Sequence, residues 1–287
     1  MSDPAAQHRL SGLARLKLLW ALSRTPHGLL DMCTPAFAAL LWLGRFPAVE
    51  VILVGLLTTF AGYTAVYALN DVVDYRVDRE KAAAGGLAAA ASDIDGLIVR
   101  HPMAQGLLSF TEGLLWALFW SAVALIGAFI LNPVCILIFL GGCVCEAVYC
   151  RLWRVSPYRT LVSGAVKTSG AMAAVFAVDP APAPGFLAVL FLTLFFWEIG
   201  GQNIPNDMTD IEEDRQMMAR TIPVCFGVER SIAIAVASLS AAVLINPVVF
   251  QLAALPRKGL SSLLALAVGC CLLLWPALRL IQGKGMR

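Results

Sequence analysis

The feature that most constrains this chain is a series of eight apolar blocks separated by charged or proline-containing connections. Each block is about 18–24 residues long, enough to cross a bilayer core of ~30 Å as a helix. The chain is 59% hydrophobic and 14% charged, against about 25% charged in ordinary soluble domains. We therefore predict an all-α polytopic membrane bundle of eight or nine transmembrane helices around a central cavity. The predicted spans are residues 25–44, 47–69, 112–131, 133–150, 160–178, 185–205, 231–250 and 260–281.

The same composition excludes several other classes of protein. Intrinsic disorder, collagen and small secreted disulfide scaffolds do not combine this hydropathy with so few charges. The net charge of +2 comes from residues scattered between the apolar blocks, which argues against a nucleic-acid partner. Seven of the eight cysteines lie in or at the ends of apolar blocks, and we interpret them as small packing residues. A cleaved signal peptide is not expected.

The basic residues predict how the chain is oriented in the membrane. With the N-terminus in the cytoplasm, 17 of the 21 Lys and Arg residues fall on the cytoplasmic side. Three fall on the opposite side, and Lys167 lies within a span. Cytoplasmic loops of membrane proteins carry such an excess of positive charge. We predict a multi-pass protein of the cell inner membrane with a cytoplasmic N-terminus and two long cytoplasmic loops, residues 70–111 and 206–230.

The two long loops open with the same acidic motif. The first begins N-D-x-x-D-x-x-x-D at Asn70–Asp78, and the second repeats that pattern at Asn206–Asp214. Arginine follows each motif, and the two copies lie 136 residues apart, nearly half of the chain. This spacing predicts a single domain, residues 1–287, that consists of two related halves at about 24–150 and 151–281.

A helix that continues past the membrane would present each motif as a stripe of carboxylates. Asn70, Asp74 and Asp78 are four residues apart and share one helical face, which Asp71 flanks. Such a stripe repels itself unless a cation lies in it, and aspartate oxygens suit Mg²⁺ with substrate phosphates as further ligands. Two facing stripes predict Mg²⁺ ions that hold a diphosphate, whereas a single stripe also fits a solvated polar face. The predicted metal ligands are Asp71, Asp74, Asp78, Asp207, Asp210 and Asp214.

Cationic residues near the motifs fit a diphosphate ligand. Arg100, Arg215 and Arg220 carry the planar guanidinium that binds phosphate oxygens in pairs. Each also fits the cytoplasmic excess of positive charge, so both interpretations remain open. The sequence contains no P-loop, no dinucleotide-binding glycine motif and no zinc-protease motif.

At these residues the chain resembles the UbiA superfamily of intramembrane prenyltransferases, which includes the 4-hydroxybenzoate polyprenyltransferases. The family signature is N-D-x-x-D-x-x-x-D in one cytoplasmic loop and D-x-x-x-D in another, matched here by Asn70–Asp78 and by Asp210 with Asp214. The likeness runs from residue 24 to about residue 230. It includes Arg24, Pro26, Gly28, Pro35, Tyr149, Arg154, Gly164, Arg220 and Gly227.

Three departures from the family pattern bear on substrate detail more than on reaction class. The family usually has nine spans, whereas eight apolar blocks are visible here. An Ala/Gly-rich insert runs from Lys81 to about Ser92. The segment His-Pro-Met-Ala-Gln-Gly at residues 101–106 stands in place of the usual R-P-x-P-S-G, so that His101 replaces an arginine and Arg100 is its substitute.

The resemblance implies a Mg²⁺-dependent transferase that moves a prenyl group from a polyprenyl diphosphate to an aromatic acceptor. The acceptor would be of the 4-hydroxybenzoate or quinone-precursor kind, and diphosphate would be released into the cytoplasm while the apolar tail lies against membrane lipid. Metal and arginine would stabilise the leaving group, and a dry cavity would protect the allylic cation. The residues expected to be catalytic are Asp71, Asp74, Asp210 and Arg154. Those expected to bind substrate are Asn70, Arg100, Asn203, Asn206, Arg215, Arg220 and Arg24.

Polar residues inside the predicted spans are further candidates for function, because burying them in lipid is costly. Asn203 lies one turn before Asp207 and is predicted to line the site. Asp31 and Lys167 either pair with each other or contact the acceptor, and the sequence leaves both open. Glu198 lies near the inner end of its span.

Two other functions fit parts of the pattern. A related transferase would keep the fold and the metal site but move another group, such as phosphoribose, onto a polyprenyl phosphate. A divalent-cation transporter would need acidic residues near the bilayer midplane, whereas the six motif aspartates lie at or beyond the cytoplasmic edge. A carboxylated acceptor would need a cation in the cavity, which Arg24 or Lys167 would supply.

Overall fold

The computed structural model describes residues 12–83 and 99–284, and within these ranges the chain is helical with no β-strand. Seven of the described helical segments are long and apolar enough to cross a membrane, which confirms a multi-pass, all-α membrane protein. Most of the predicted Ala/Gly-rich insert lies outside the described residues. The seven segments are Val49–Ala83, Phe110–Leu131, Pro133–Arg154, Arg159–Val178, Pro184–Thr209, Val228–Leu252 and Lys258–Arg279.

The first predicted span, residues 25–44, is two helices that meet at Met32 rather than one. Pro35 accounts for the interruption, because its ring lacks an N–H and clashes with the carbonyl four residues earlier. The count of eight or nine spans and the two related halves stay predictions. The helices of this region are α1 (Gly12–Leu22), α2 (Thr25–Asp31) and α3 (Cys33–Leu43).

The rest of the described chain is a series of helices, most of them joined by short connections. Two wide π-helical turns, Glu198–Asn203 and Cys270–Leu274, each join two consecutive helices end to end. The helices are α4 (Val49–Ala83), α5 (Phe110–Leu131), α6 (Pro133–Arg151), α7 (Arg159–Val178), α8 (Pro184–Trp197), α9 (Ile204–Thr209), α10 (Ile211–Gln216), α11 (Ile222–Phe226), α12 (Val228–Leu252), α13 (Lys258–Gly269) and α14 (Trp275–Lys284).

Local sequence signals set several helix ends. Ser109 and Glu112 form a reciprocal capping box at the start of α5, which satisfies two otherwise unpaired backbone donors. Asn132 caps α6 through a hydrogen bond from the Val134 N–H, and Pro133 occupies the first helical position, where no N–H is needed. α5 and α6 are thus joined by a tight connection at Asn132, where the predicted spans 112–131 and 133–150 also meet.

Small side chains let the helices approach closely around a central space. α4 packs mainly on α5, α6 on α7, and α12 on α8 and α13. A core cluster near the end opposite the acidic motifs combines Ala38, Ala171 and Ala253 with the ring of Phe186. Small residues at helix contacts are typical of membrane bundles, in which close van der Waals packing replaces the hydrophobic effect. Large apolar side chains such as Leu137 and Phe129 point outward, as expected of a surface that faces lipid.

Candidate active site

One cavity of about 440 Å³ runs along the inside of the bundle. Asn70, Asn206 and Asp207 line one end, and Phe46 and Val51 line the other. Val51 and Asn70 are 19 residues apart on α4, or about 28 Å along a helix. The cavity therefore extends from the acidic motifs through nearly the whole thickness of a bilayer core.

The first motif is part of one continuous helix, as predicted. α4 runs without a break from Val49 to Ala83, so Asp71, Asp74 and Asp78 project from one side of its end. Asp71 and Asp78 are 3% and 5% exposed, whereas Asp74 is partly exposed and interacts with the Cys150 thiol. Burial of two carboxylates requires compensating cations or hydrogen bonds.

His101 supplies part of that compensation. Its Nδ1 lies 3.1 Å from Asp71 Oδ1 and 3.0 Å from Asp78 Oδ2. Burial works to lower the pKa of His101, but the two carboxylates outweigh it and raise the pKa to about 9. Arg24 adds a second cation, because its Nη2 donates to Asp71 Oδ1 at 3.4 Å and to Asn70 Oδ1 at 3.3 Å.

The second motif is bent at Asp210. α9 ends at Thr209 and α10 begins at Ile211, so the prediction of one helical face through this motif is wrong. The Thr209 hydroxyl donates to the Asn206 carbonyl at 2.7 Å, an alternative to regular helical bonding that bends helices. As a result Asp207 and Asp214 are buried while Asn206 and Asp210 are exposed. Burial raises the pKa of the Asp214 carboxyl, although the nearby Thr221 side chain acts in the opposite direction.

Arg159 is paired with the second motif inside the protein. Its Nη2 donates to Asp207 Oδ1 at 2.8 Å, and its guanidinium lies 4.6 Å from the centre of the Tyr149 ring. The second carboxylate oxygen of Asp207, Oδ2, is buried without a hydrogen-bond partner. An orphaned buried oxygen of this kind, at the mouth of the cavity, is a ready ligand for a cation.

The end of α4 is tied to the second motif by ion pairs. Lys81 Nζ lies 3.2 Å from Glu213 Oε1 and 4.5 Å from the centre of the Trp153 ring. Arg154 Nη2 lies 2.7 Å from Glu80 Oε2, and its Nε donates to the Met217 carbonyl. These contacts hold the two acidic segments together at one end of the bundle.

The arginines predicted from sequence are not equally placed. Arg24 lines the cavity, and Arg100 lies in the partly exposed loop before α5. Arg154, Arg215 and Arg220 are exposed, and Arg215 pairs with Glu212 on its own helix at 2.9 Å. Arg154 thus links α4 to the segment that carries the second motif, and it does not line the cavity.

Asn70 of the first motif, and Asn203 shortly before the second motif, are held by polar side chains of neighbouring helices. Asn70 Nδ2 donates to Glu146 Oε1 at 2.6 Å. Asn203 lines the cavity as predicted; it accepts a hydrogen bond from the Thr160 hydroxyl at 2.5 Å and donates to the Tyr149 hydroxyl at 3.1 Å. Each asparagine is therefore fixed in orientation at the cavity wall.

Deeper in the bundle, Asp31 and Lys167 form an ion pair, one of the two arrangements that the sequence left open. Lys167 Nζ lies 2.9 Å from Asp31 Oδ2 and 2.8 Å from the Tyr67 hydroxyl oxygen. The Tyr67 hydroxyl in turn donates to Asp31 at 2.5 Å. Lys167 and Tyr67 both line the cavity.

Sequence reasoning missed Arg159 and Glu146 as site residues. Arg159 was counted only among the basic residues that set orientation, and nothing in its spacing linked it to Asp207. Glu146 carried a usable signal, because an ionisable residue inside a predicted span is a functional candidate by default.

The donor set fits a magnesium ion bound with phosphate. Atoms of Asp71, Asp78 and His101 that are able to bind a metal all lie within 4.8 Å of one another. The buried carboxylates of this group and the unpaired Asp207 Oδ2 offer the hard oxygen ligands that Mg²⁺ prefers.

Comparison with known proteins identifies the family. The UbiA prenyltransferase family model matches residues 32–285, and the chain belongs to that family. A curated relative, the digeranylgeranylglyceryl phosphate synthase of Thermococcus sibiricus, is 23% identical over 189 residues. That match spans 66% of this chain but only 61% of the relative.

Solved structures share the fold. A UbiA homologue from Archaeoglobus fulgidus bound to DMAPP and Mg²⁺ matches with a TM-score of 0.71 and 20% identity, over 88% of this chain and 84% of that one. The apo structure of a UbiA homologue from Aeropyrum pernix K1 matches with a TM-score of 0.66 and 20% identity, over 90% and 93% of the two chains.

Proposed function

We propose that this protein transfers a prenyl group from a polyprenyl diphosphate to an aromatic acceptor of the 4-hydroxybenzoate or quinone-precursor kind, in a Mg²⁺-dependent reaction that releases diphosphate. The observation that carries the proposal is the meeting of both acidic motifs at one end of a long, mainly apolar cavity. A metal–diphosphate group would bind at the acidic end, and a prenyl tail would extend along the apolar walls.

The residues that would hold Mg²⁺ are the motif aspartates, with Asp71, Asp78 and Asp207 the most deeply placed. When bound, the metal neutralises charge that develops on the leaving diphosphate. Arg24 and Arg159 pair with Asp71 and Asp207 and so offset the negative charge of these two buried carboxylates. The helices around the cavity exclude water, which would otherwise capture an allylic cation.

A second candidate acceptor is a lipid alcohol. The curated relative is named a digeranylgeranylglyceryl phosphate synthase, a prenyl-transferring enzyme whose product is a glyceryl phosphate lipid. The proposed metal site and donor are the same for both acceptors. Transfer of phosphoribose has no comparable support, and membership of a prenyltransferase family favours transfer over cation transport.

Donor turnover tests the proposal. Purified protein in lipid nanodiscs would be incubated with Mg²⁺, labelled geranyl diphosphate and panels of phenols and monoalkylglycerols. We expect prenylated product and released diphosphate, and a loss of about 10²-fold in rate for Asp74→Asn and for Asp210→Asn. A matched control is Asp179→Asn at the opposite end of the bundle, which removes a carboxylate charge away from the motifs and keeps one oxygen for the two donors, Trp42 Nε1 and the Ala181 N–H.

Two results would contradict the proposal. Release of diphosphate that survives both motif substitutions would refute the metal site, and product formed only from phosphoribosyl diphosphate would favour the related transferase. An equal loss of rate in Asp179→Asn would mean that the variants report general damage to the fold.

We also propose that the motif end of the bundle faces the cytoplasm of the cell inner membrane. The distribution of basic residues supports this orientation. Cys225, exposed in α11 near the second motif, should react with a membrane-impermeant maleimide in inside-out vesicles but not in intact spheroplasts. The variant Arg257→Cys places a cysteine at the other end of the bundle. This cysteine should show the reverse labelling pattern, which peptide mass spectrometry distinguishes from labelling of Cys225. The opposite pattern at both sites would invert the orientation.

A further inference from the structure

A layer of polar side chains lies in the cavity wall below the acidic motifs. We call Asp31, Tyr67, Ser163, Lys167 and Glu198 the inner polar cluster. Its members come from α2, α4, α7 and the π-helical turn that follows α8. Polar groups at this depth in a membrane are costly unless they are paired or contact a ligand.

Lys167 has a donor left over for a ligand. An ammonium group carries three N–H donors. Two of them are directed to Asp31 Oδ2 at 2.9 Å and to the Tyr67 hydroxyl at 2.8 Å. Lys167 also lines the cavity, so the third donor is available on that side.

Glu198 has an acceptor left over for a ligand. Its Oε1 accepts a hydrogen bond from the Ser163 hydroxyl at 2.9 Å, but its Oε2 is buried with no partner. The residue is 3% exposed, lines the cavity and interacts electrostatically with Lys167. An unpaired carboxylate oxygen in such a place carries an uncompensated desolvation cost, so a ligand that donates to it is favoured.

The charges of the cavity wall disfavour an anionic ligand at this depth. Lys167 is already paired with Asp31, and the cavity wall also carries the carboxyl groups of Glu146 and Glu198. Arg24, the other cation that the sequence offered for a carboxylated acceptor, donates to Asn70 and Asp71 of the first motif. His27 lines the cavity as well, 3.9 Å from Asp31.

We infer that the inner polar cluster binds an uncharged hydroxyl group of the prenyl acceptor, which donates to Glu198 Oε2 and accepts from Lys167 Nζ. The inference rests on the proposed function and narrows its substrate class. The acceptor carries a neutral hydroxyl, phenolic or alcoholic, at its inner end instead of a carboxylate or phosphate.

The depth of the cluster suits this role. Tyr67 lies one helical turn, about 6 Å, below Asp71 on α4, and Glu198 precedes Asp207 by nine residues, about 13 Å of helix. A hydroxyl held at Lys167 and Glu198 therefore leaves room for the carbon skeleton of a small acceptor to reach the diphosphate end. An acceptor bound in this way is fixed at the end away from the reacting donor, which orients it for transfer.

Equilibrium binding with charge-matched ligands tests the inference. The full chain in nanodiscs would be saturated with Mg²⁺ and the unreactive donor analogue geranyl S-thiolodiphosphate. One ligand pair is 4-hydroxybenzamide and 4-hydroxybenzoate, and the other is a monoalkylglycerol and its phosphate. We expect the uncharged member of one pair to bind about tenfold more tightly than its charged partner, and that pair identifies the acceptor as phenol or lipid alcohol.

Variants connect the result to Glu198. Glu198→Gln keeps an oxygen for Ser163 but presents an N–H₂ donor in place of Oε2, and should weaken binding of the uncharged ligand about tenfold. Ser163→Ala, which removes only the hydroxyl that holds Glu198, should weaken it less. Glu50→Gln, exposed in the first turn of α4 at the far end of the bundle, is the matched control and should leave binding unchanged. Affinity for the donor analogue should stay within about twofold in all three.

The outcomes separate this inference from the proposed function. If the charged ligands bind at least as tightly as the uncharged ones, or if Glu198→Gln matches the unsubstituted protein, the inference is wrong while the metal site stands. Absence of Mg²⁺-dependent binding of the donor analogue to the unsubstituted protein would overturn the proposed function and this inference with it.

Discussion

His101, which the sequence resemblance matches to the arginine of the R-P-x-P-S-G pattern, can lose its charge as the pH rises, unlike arginine. It has a left-handed backbone, φ 47°, and contacts both Asp71 and Asp78. Its raised pKa makes it a cation at neutral pH, but one that can be neutralised above about pH 9. In the metal-free protein it therefore stabilises two buried carboxylates in a pH-dependent way.

The stability of the metal-free protein should depend on this charge. The pKa of His101 is raised from 6.5 to about 9, so its contribution is complete below about pH 6.5 and is lost as the pH rises through 9. Arg24 also contacts Asp71 and is unaffected over that range. His101→Gln should lower the free energy of unfolding in EDTA by on the order of 2 kcal/mol at pH 6, and by much less at pH 10. Thermal unfolding in detergent at the two pH values measures this difference in stability. An equal loss of stability at both pH values would assign the effect to packing.

The aspartates could be predicted individually, whereas their partners could not. Asp71, Asp78 and Asp207 stand in a repeated motif whose spacing is visible in one sequence. Arg159 pairs with Asp207 across 48 residues because α7 packs beside the end of the α8–α9 segment. That contact depends on the tertiary arrangement, so it leaves no local signal in the sequence. The sequence pattern favours Arg154 as the catalytic arginine instead.

At the scale of elements, the two acidic motifs have different shapes. α4 carries the first motif as a straight continuation of a membrane helix, while the second follows a π-helical turn and bends at Asp210. Such wide turns are often found at functional sites. Here the turn, Glu198–Asn203, contains Gly200 packed against the backbone of α12, and it sets the directions of both Glu198 and Asn203.

The ion pair between Lys81 and Glu213 should couple these two elements. Both side chains are less than one-third exposed, at 20% and 27%, and their charged atoms are 3.2 Å apart. Lys81→Glu and Glu213→Lys should each lower the unfolding temperature, and the exchanged pair should recover part of the loss. A double-mutant cycle should give a coupling energy of about 0.5–1 kcal/mol. Strict additivity of the two losses would mean that the contact does not join the motifs.

Most membrane helices could be predicted from apolar block length alone, since lipid requires a helix of that length. The predicted boundary between the spans 112–131 and 133–150 also agrees with the structure, because the Asn132 cap and Pro133 fix it locally. The break at Met32 and the two π-helical turns were not predicted. Pro35 is a local signal for the break that hydropathy does not register. The two π-helical turns depend on how neighbouring helices pack, and the hydropathy of a block contains no information about a change of helical pitch.

At the scale of the whole molecule, the scarcity of charge has a consequence for function. Many of the described charged residues lie at the motif end, and Glu146, Lys167 and Glu198 line the cavity. A smaller exposed group at the opposite end, which includes Arg45, Glu50 and Arg257, does not line it. The sequence predicted a membrane bundle with a chamber and the family that the comparisons confirm. The sequence could not predict that the inner part of the cavity contains an unpaired acceptor, Glu198 Oε2, and a third donor on Lys167 Nζ. Which polar atoms are already paired depends on the three-dimensional structure.

The central claim is that both motifs together bind one metal–diphosphate group. Electron paramagnetic resonance of Mn²⁺, used in place of Mg²⁺, measures it directly by counting bound metal with and without geranyl S-thiolodiphosphate. We predict that the analogue increases the amount of tightly bound Mn²⁺, and that Asp71→Asn and Asp207→Asn each abolish this increase while Asp179→Asn does not. An increase that persists in either motif variant would contradict a shared site.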